Sequence, residues 1–280
     1  NLWNAKSGKS FSWRQVGMTT NPIKPDPNGP DRQTWDPASY AKNARFVSDL
    51  GMPVLDLLAP LQGERILDLG CGDGVLSKSI MDAGARLLGI DSSTDQVEAA
   101  RAKGVDAQIL RGEDLPFDGE FDAVFSNAAL HWIADQDAML ACVWRALRVP
   151  GRLVAEMGGA GNVAQVRRSL HEALRRRGIE AETFDPWYFP DPEAYGARLE
   201  AAGFRVDSID LINRPTPIPG SLADWLDVFA RSFLAAVDVG EHAALKAEVE
   251  NAVAADLCDA DGNWTVDYVR LRFKAVKAGG

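Results

Sequence analysis

Glu64-Arg-Ile-Leu-Asp-Leu-Gly-Cys-Gly-Asp-Gly-Val-Leu-Ser77 decides how the rest of the chain is read. Its apolar run breaks into alternating glycines and then resumes with helical spacing, which spells strand, tight turn and helix. Ile66, Leu67 and Leu69 suit a strand buried on both faces, and Val75, Leu76 and Ile80 share one face of the helix that follows. Gly70, Gly72 and Gly74 let the backbone turn sharply and approach a ligand closely. A glycine turn between strand and helix is a candidate nucleotide site.

The flanking residues argue against a dinucleotide. With Gly70 and Gly72 as the first two glycines of G-x-G-x-x-G, the third position holds Val75. Asp68 also places a carboxylate beside the turn, where a pyrophosphate would need positive potential. A ligand with an ammonium group is attracted instead, and S-adenosylmethionine (SAM) has an α-amino group, a sulfonium and no phosphate. Asp91 closes a second apolar strand, Arg86-Leu-Leu-Gly-Ile90, about twenty residues beyond the turn, the offset at which an acid reaches ribose hydroxyls. Asp68-Leu-Gly-Cys-Gly-Asp73 followed by Gly89-Ile-Asp-Ser92 resembles the class I SAM-dependent methyltransferases. The resemblance covers roughly residues 35–276. It implies SAM as the cofactor, held by Asp68, Gly70, Cys71, Gly72, Asp91 and Ser92.

Composition sets the frame. A chain of 280 residues, 46% of them hydrophobic, can bury a sizeable core as one large domain. A net charge of −10 argues against a broad basic face for nucleic acid and favours a small-molecule partner. Cys71, Cys142 and Cys258 lack metal-type spacing, so no metal site is expected, and Cys71 reads as a small packing residue within the turn rather than a nucleophile. With no run of about eighteen apolar residues and no signal-peptide core, the expectation is a cytoplasmic protein with no membrane partner. Residues 1–30 are polar and read as a disordered or appended tail. Residues 31–280 read as the methyltransferase domain, with its core at about 61–158 and a helical cap at about 220–257.

Folding is expected to begin near Trp35-Asp-Pro-Ala-Ser-Tyr40, where Asp36 can cap a helix whose first turn carries Pro37. Trp35 and Tyr40 have two readings: packing on the domain edge or, as the resemblance implies, closing over the cofactor. From residue 64 strands alternate with helices, which predicts a parallel sheet covered on both faces. Strands are expected near 64–70, 86–91, 106–111, 121–127 and 151–157, with helices near 74–83, 93–103 and 136–148. A terminal antiparallel pair, Phe204 to Ile212 and Trp264 to Val276, completes a seven-stranded, mostly parallel Rossmann-like α/β sheet. The turn, Asp91 and Arg111-Gly-Glu-Asp-Leu115 all fall at carboxyl ends of strands, the edge at which such sheets bind ligands. By resemblance, Glu113 or Asp114, with Asp114 preferred, hydrogen-bonds the adenine amino group and Leu115 packs on its ring.

After the fourth strand comes Ser126-Asn-Ala-Ala-Leu-His-Trp132, which resembles the loop flanking the methyl group in the trans-aconitate and malonyl-carrier-protein methyltransferases. Those families usually carry Gln where this chain has His131. The resemblance puts Asn127 beside the methionine part of SAM and makes Trp132 a wall of the substrate pocket. His131 is a structural hydrogen-bonding residue or, unlike Gln, a base near neutral pH. Phe184-Asp-Pro-Trp-Tyr-Phe-Pro190 is a rigid aromatic loop whose Trp187, Tyr188 and Phe189 are core residues or, placed after the fifth strand, face the substrate. The cluster Arg167, Arg168, Arg175, Arg176 and Arg177 is a solvated helix face or a site for an acidic substrate or carrier. Arg214 and the stretch Tyr268-Val-Arg-Leu-Arg272 are further cations or sheet supports. The function expected is methyl transfer from SAM to a small acceptor, a carboxylate by preference because it is already ionised and needs no base. The alternatives are a hydroxyl or amine deprotonated by His131, and a SAM-binding module without catalysis.

Overall fold

Asp68 and its neighbours occupy the centre of a seven-stranded sheet in the computed structural model, which describes residues 50–279. Trp35, Tyr40 and the helix expected from Asp36 lie outside the described residues. Strands β1 (Arg65–Leu69), β2 (Arg86–Asp91), β3 (Ala107–Ile109), β4 (Phe121–Asn127) and β5 (Leu147–Gly158) run parallel, in the order β3-β2-β1-β4-β5. The sheet is completed by β6 (Arg205–Asn213) and β7 (Val269–Lys277). The last strand inserts between β5 and β6 and is antiparallel to both.

Alternation along the strands assigns the two faces. Ile66, Phe125 and Val154 point to one side, where they meet α1 (Met52–Leu58), α2 (Val75–Asp82) and α3 (Thr94–Ala102) through Val54, Ile80 and Val97. Leu67, Val124 and Leu153 point to the other, packing with α4 (Gln136–Ala146) and α6 (Pro192–Ala201) through Leu140, Val143 and Leu199. Burial on both faces is what the near-continuous apolar composition of β1 and β4 requires. The helices start where side chains can satisfy their first amides: Ser93 accepts from Gln96 N, Asp135 from Ala138 N and Asp191 from Ala194 N.

A third apolar cluster lies outside the sheet. It joins α5 (Ala164–Arg176), α7 (Leu222–Phe229), α8 (Arg231–Leu234) and α9 (His242–Leu257) around Leu170, Leu174, Trp225, Phe233 and Leu245. In α9 the buried residues Leu245, Val249, Val253 and Leu257 recur every fourth position and form one stripe. Trp225 and Phe233 are therefore core, and their helical spacing reflects that packing. The final strand is shorter than its apolar pattern suggests, because the chain bends at Asp267. Thr265–Val266 pairs with Thr216–Pro217 as a separate ribbon, and the Asp267 carboxylate turns to accept from Gln165 N at the start of α5.

Candidate active site

The glycine turn is tied to the neighbouring strand. Gly70 N and Cys71 N both donate to the Ile90 carbonyl, at 2.8 and 2.9 Å, and Gly72 N donates to Asp91 Oδ2 at 3.0 Å. The other carboxylate oxygen of Asp91 accepts from Ser93 N at 2.9 Å. Gly70 and Gly72 have φ of +75° and +53°, a backbone region that side chains strain. A methyl group on Gly70 would collide with Ala129, whereas one on Gly72 would project into open space. That space is a cleft of about 920 Å³, partly open to solvent, at the carboxyl ends of β1, β2 and β4.

The walls of the cleft combine acids with apolar surface. Gly70, Gly72, Asp91, Ser92, Glu113 and Asn127 line it, with Leu69, Ile90, Leu110 and Ile133 as flat apolar contacts. Burial pushes the Asp91 carboxyl upward from the usual range, opposed by the backbone amides of Ser93, Gly72 and Ser92. Arg111 lies at the same rim and pairs with Glu113 at 3.1 Å.

A second cavity of about 410 Å³ adjoins the first, the two sharing Ala128 and Trp132 in their walls. Its walls are largely aromatic, with Trp187 and Phe189 from the 184–190 loop stacked at 5.8 Å, and Trp225 and Phe229 from α7. Its polar side chains share one character. His131 Nδ1 accepts from Gly158 N at 3.2 Å, so the neutral ring carries its proton on Nε2. Asn162 Oδ1 accepts from Val269 N at 2.9 Å, which leaves the amide NH₂ as its donor end, beside Gly158. Tyr268 Oη accepts from Trp225 Nε1 at 2.6 Å, and Arg270, 7% exposed, lies with its guanidinium 4.5 Å from the Tyr268 ring centre. The His131 Nε2–H, the Asn162 amide NH₂ and the Arg270 guanidinium are thus donor groups on side chains that line this cavity. Burial, reinforced by the Arg270 cation, holds His131 well below the usual imidazole range, so it is neutral at physiological pH.

The aromatic loop is fastened from outside. Asp185 takes Arg167 Nε at 2.5 Å and His171 Nε2 at 2.7 Å on one oxygen and Trp187 N at 3.1 Å on the other. Tyr188 N donates to the His131 carbonyl at 3.0 Å.

Several residues singled out in the sequence stand elsewhere than expected. Asp68 shares the Ile66 face of β1, so its carboxylate points beneath α2 and accepts from Ser77 Oγ at 2.6 Å instead of lining the cleft. Burial pushes its pKa up to about 7, against the Ser77 hydrogen bond that lowers it, with the charge of Asp91 adding to the rise. Cys71 packs behind the turn, its Sγ against the Cα of Gly89, where a side chain would meet it at 2.9 Å; burial pushes the thiol far up and keeps it inert. The 3₁₀ turn Gly112–Asp114 directs Glu113 into the cleft and leaves Asp114 at the surface, while Leu115 is 1% exposed in the main core. Asn127 and Ser92 line the cleft, His131 the second cavity, and Trp132 both.

The cations divide similarly. Arg175 at the end of α5 pairs with Glu182 in the next 3₁₀ turn, Arg176 with Glu248 on α9, and Arg177, just past α5, with Glu248 and with Glu241 before the start of α9. Arg214 and Arg272 both grip buried Glu156, at 2.6 Å each, as supports between strands. Arg270, two residues before Arg272 on the same strand, lines the second cavity. Among the described residues no cluster of His, Cys, Asp and Glu is placed to hold a metal ion, and no helix is long and apolar enough to cross a membrane. Asn162 drew no notice in the sequence, since nothing local distinguishes an asparagine in a Gly-rich loop from an ordinary turn residue.

Comparison with known proteins supplies the family. Residues 67–155 match the methyltransferase-domain family. An uncharacterised methyltransferase of Schizosaccharomyces pombe is 39% identical over 255 residues, covering 87% of this chain and 98% of that protein. A trans-aconitate 2-methyltransferase of Rhodococcus jostii is 32% identical over 187 residues, 62% of this chain and 71% of its own length. Among solved structures, Haemonchus contortus phosphoethanolamine N-methyltransferase 2 in complex with SAM shares the fold with a TM-score of 0.53 at 21% identity, over 82% of this chain and 53% of that one.

Proposed function

This chain belongs to the class I SAM-dependent methyltransferases, and we propose that within that family it esterifies the carboxylate of a small organic acid. The cleft suits SAM: Gly72 leaves an open cradle for close approach, Asp91 and Glu113 offer acceptors, and no phosphate-type site competes. Asp91 and Ser92 would serve the ribose hydroxyls, Glu113 the adenine amino group, and Asn127 the methionine end. When bound, SAM supplies a methyl group on a sulfonium, which an acceptor oxygen displaces to leave S-adenosylhomocysteine and, from a carboxylate, a neutral ester with no proton to remove. Trp132, shared by both cavities, bounds the passage between cofactor and acceptor. The helices of residues 222–257 cap the acceptor side through Trp225 and Phe229.

The observation that carries the carboxylate is the donor character of the acceptor cavity. A hydroxyl or amine acceptor needs a base, and the candidate, His131, has its lone pair taken up by Gly158 N and its proton on the other nitrogen. An ionised carboxylate accepts only, so Arg270, Asn162 and His131 Nε2–H all match it. His131 then acts as a donor, which the Gln amide usual in the resembled families also provides. Incubation with methyl-labelled SAM and a panel of organic acids, alcohols and amines tests the proposal. The expected product is an ester that releases labelled methanol in mild alkali. An alkali-stable methyl ether or amine, formed with no ester, would overturn it.

A further inference from the structure

We infer that Asp185, clasped by Arg167 and His171 of α5, is a positioning residue for the methyl acceptor: it sets where Trp187 and Phe189 stand in the wall of the second cavity. The inference rests on reading that cavity as the acceptor site and does not depend on the acceptor being an acid. Arg167 and His171 are four residues apart on α5, so they leave the helix from one face. Both reach the same oxygen of Asp185, at 2.5 and 2.7 Å, and the other oxygen accepts from Trp187 N at 3.1 Å. The Asp185 side chain is 5% exposed, so its end of the ion pair with Arg167 is shielded from solvent, and loss of either partner is costly. Arg167, read in the sequence as part of a solvated face or a site for acids, is thus engaged within the protein.

Each partner of the carboxylate also touches a ring that leads to the cavity. The Arg167 guanidinium lies 5.6 Å from the centre of the Phe189 ring, within cation–π reach. His171 packs on Phe233 at 5.6 Å, and Phe233 on Trp187 at 5.3 Å. Trp187 and Phe189 lie 19° from parallel with ring centres 5.8 Å apart, and both line the cavity. On its other side Phe189 approaches the end of β5 so closely that a methyl group on Gly158 would collide with the ring. Phe189 is therefore held between the β5 backbone and the clasp on α5. The backbone of the loop is fixed separately, by Tyr188 N on the His131 carbonyl at 3.0 Å and by Ala160 N on the Pro190 carbonyl at 2.9 Å. Those bonds set the course of the chain, and the clasp sets the two rings. Rings that touch the body of an acceptor hold it equally before and during transfer, so their displacement is read in KM more than in kcat.

The test uses the full chain with Asp185→Asn and, separately, Arg167→Met, which keeps an apolar stem at a side chain that is 37% exposed. The acceptor is whichever compound of the panel of acids, alcohols and amines takes label fastest from methyl-labelled SAM. Asp185→Asn is expected to raise KM for that compound at least about tenfold with kcat within about threefold. The Kd for S-adenosylhomocysteine, by calorimetry, should stay within about twofold, because other residues line the cofactor cleft. Arg167→Met should raise KM by about three- to tenfold, since Asp185 keeps His171 and Trp187 N. Hydrogen exchange should quicken across residues 184–190 in both variants and remain as in the wild type across β1 and β4. KM within about twofold of wild type in both variants would overturn the inference, and so would S-adenosylhomocysteine affinity falling in step with KM, which marks a general loss of structure. An alcohol or amine as the labelled compound would sink the carboxylate reading and leave this test intact. Should no compound accept label, the exchange measurement decides, and unchanged rates across 184–190 overturn the inference.

Discussion

Replacing Asp91 with Asn separates cofactor binding from fold stability. The carboxylate accepts Gly72 N at 3.0 Å and Ser93 N at 2.9 Å, and it lies in the wall of the cofactor cleft. The amide keeps one acceptor oxygen and turns the other position into a donor facing a backbone N–H. One charge-assisted hydrogen bond is lost, which costs stability about 1.5–3 kcal/mol. Against this, burial raises the Asp91 pKa, so the charged form is disfavoured in the folded protein and the neutral amide relieves that penalty. The two effects oppose, and the net change in unfolding free energy is expected to stay within about 2 kcal/mol. Ribose hydroxyls, by contrast, lose an ionised acceptor with nothing in return. The SAM dissociation constant should rise by about ten- to a hundredfold, the equivalent of 1.5–3 kcal/mol. Calorimetric titration with SAM, paired with urea unfolding of the free protein, reads both quantities. SAM affinity within about twofold of wild type would refute the reasoning, and so would a loss of stability that fully accounts for the loss of binding.

The glycines of the turn should respond differently: Gly72→Ala, whose methyl enters open cleft, is expected to weaken SAM binding with only about 1–2 kcal/mol of backbone strain, whereas Gly70→Ala collides with Ala129 and should lower the urea midpoint markedly. His131→Gln keeps a donor in the acceptor cavity, so turnover should stay within about tenfold and, as in the wild type, show no limb between pH 6 and 9 from this residue, whose pKa lies well below that window. A larger loss with SAM affinity intact would restore His131 as a base. Asp68, raised to about 7, binds its proton more readily folded than unfolded, so its unfavourable contribution grows as pH rises from the ordinary carboxylate range through 7. Asp68→Asn should therefore stabilise the free protein relative to wild type at pH 8 and leave it nearly unchanged at pH 4.5, measured by urea unfolding; equal effects at both pH values would contradict a proton-linked origin.

The cofactor half was legible because its chemistry is local. Strand, glycine turn, helix and the acid at the end of the next strand lie within 28 residues, from Glu64 to Asp91, and hydrophobic periodicity brackets each element. Where the reading erred, side-chain direction was the cause. Ile66 and Asp68 share a strand face by simple alternation, which sends the Asp68 carboxylate under α2, and a single 3₁₀ turn sets Glu113 in the cleft wall and Asp114 at the surface. The acceptor half was not legible because its residues are brought together over long separations. Gly158 and Arg270 are 112 positions apart and become partners only when β7 inserts between β5 and β6. Arg176 and Arg177 looked like part of a binding face for the same reason, since the acids that pair with them lie about seventy residues later on and near α9.

The donor-lined cavity raises a question of degree, because a guanidinium that held a carboxylate too firmly would hinder the reaction it orients. With a carboxylate acceptor, as proposed, the charge would be lost as the oxygen forms the new bond, so a strong ion pair would stabilise the ground state more than the transition state. The surroundings of Arg270 reduce that cost. Its guanidinium lies 4.5 Å from the Tyr268 ring centre, a cation–π contact, and His131 in the same cavity is held neutral and adds no second charge. On the proposed reading the contribution left to these residues is orientation: they would fix which acceptor oxygen faces Trp132, where alignment alone can lower the barrier substantially without a proton being moved. The same balance favours release. On the proposed reading a neutral ester would no longer pair with Arg270, so its hold on the cavity would fall to the apolar contacts of the aromatic walls, and the departing product would meet a weaker site than the acid that entered.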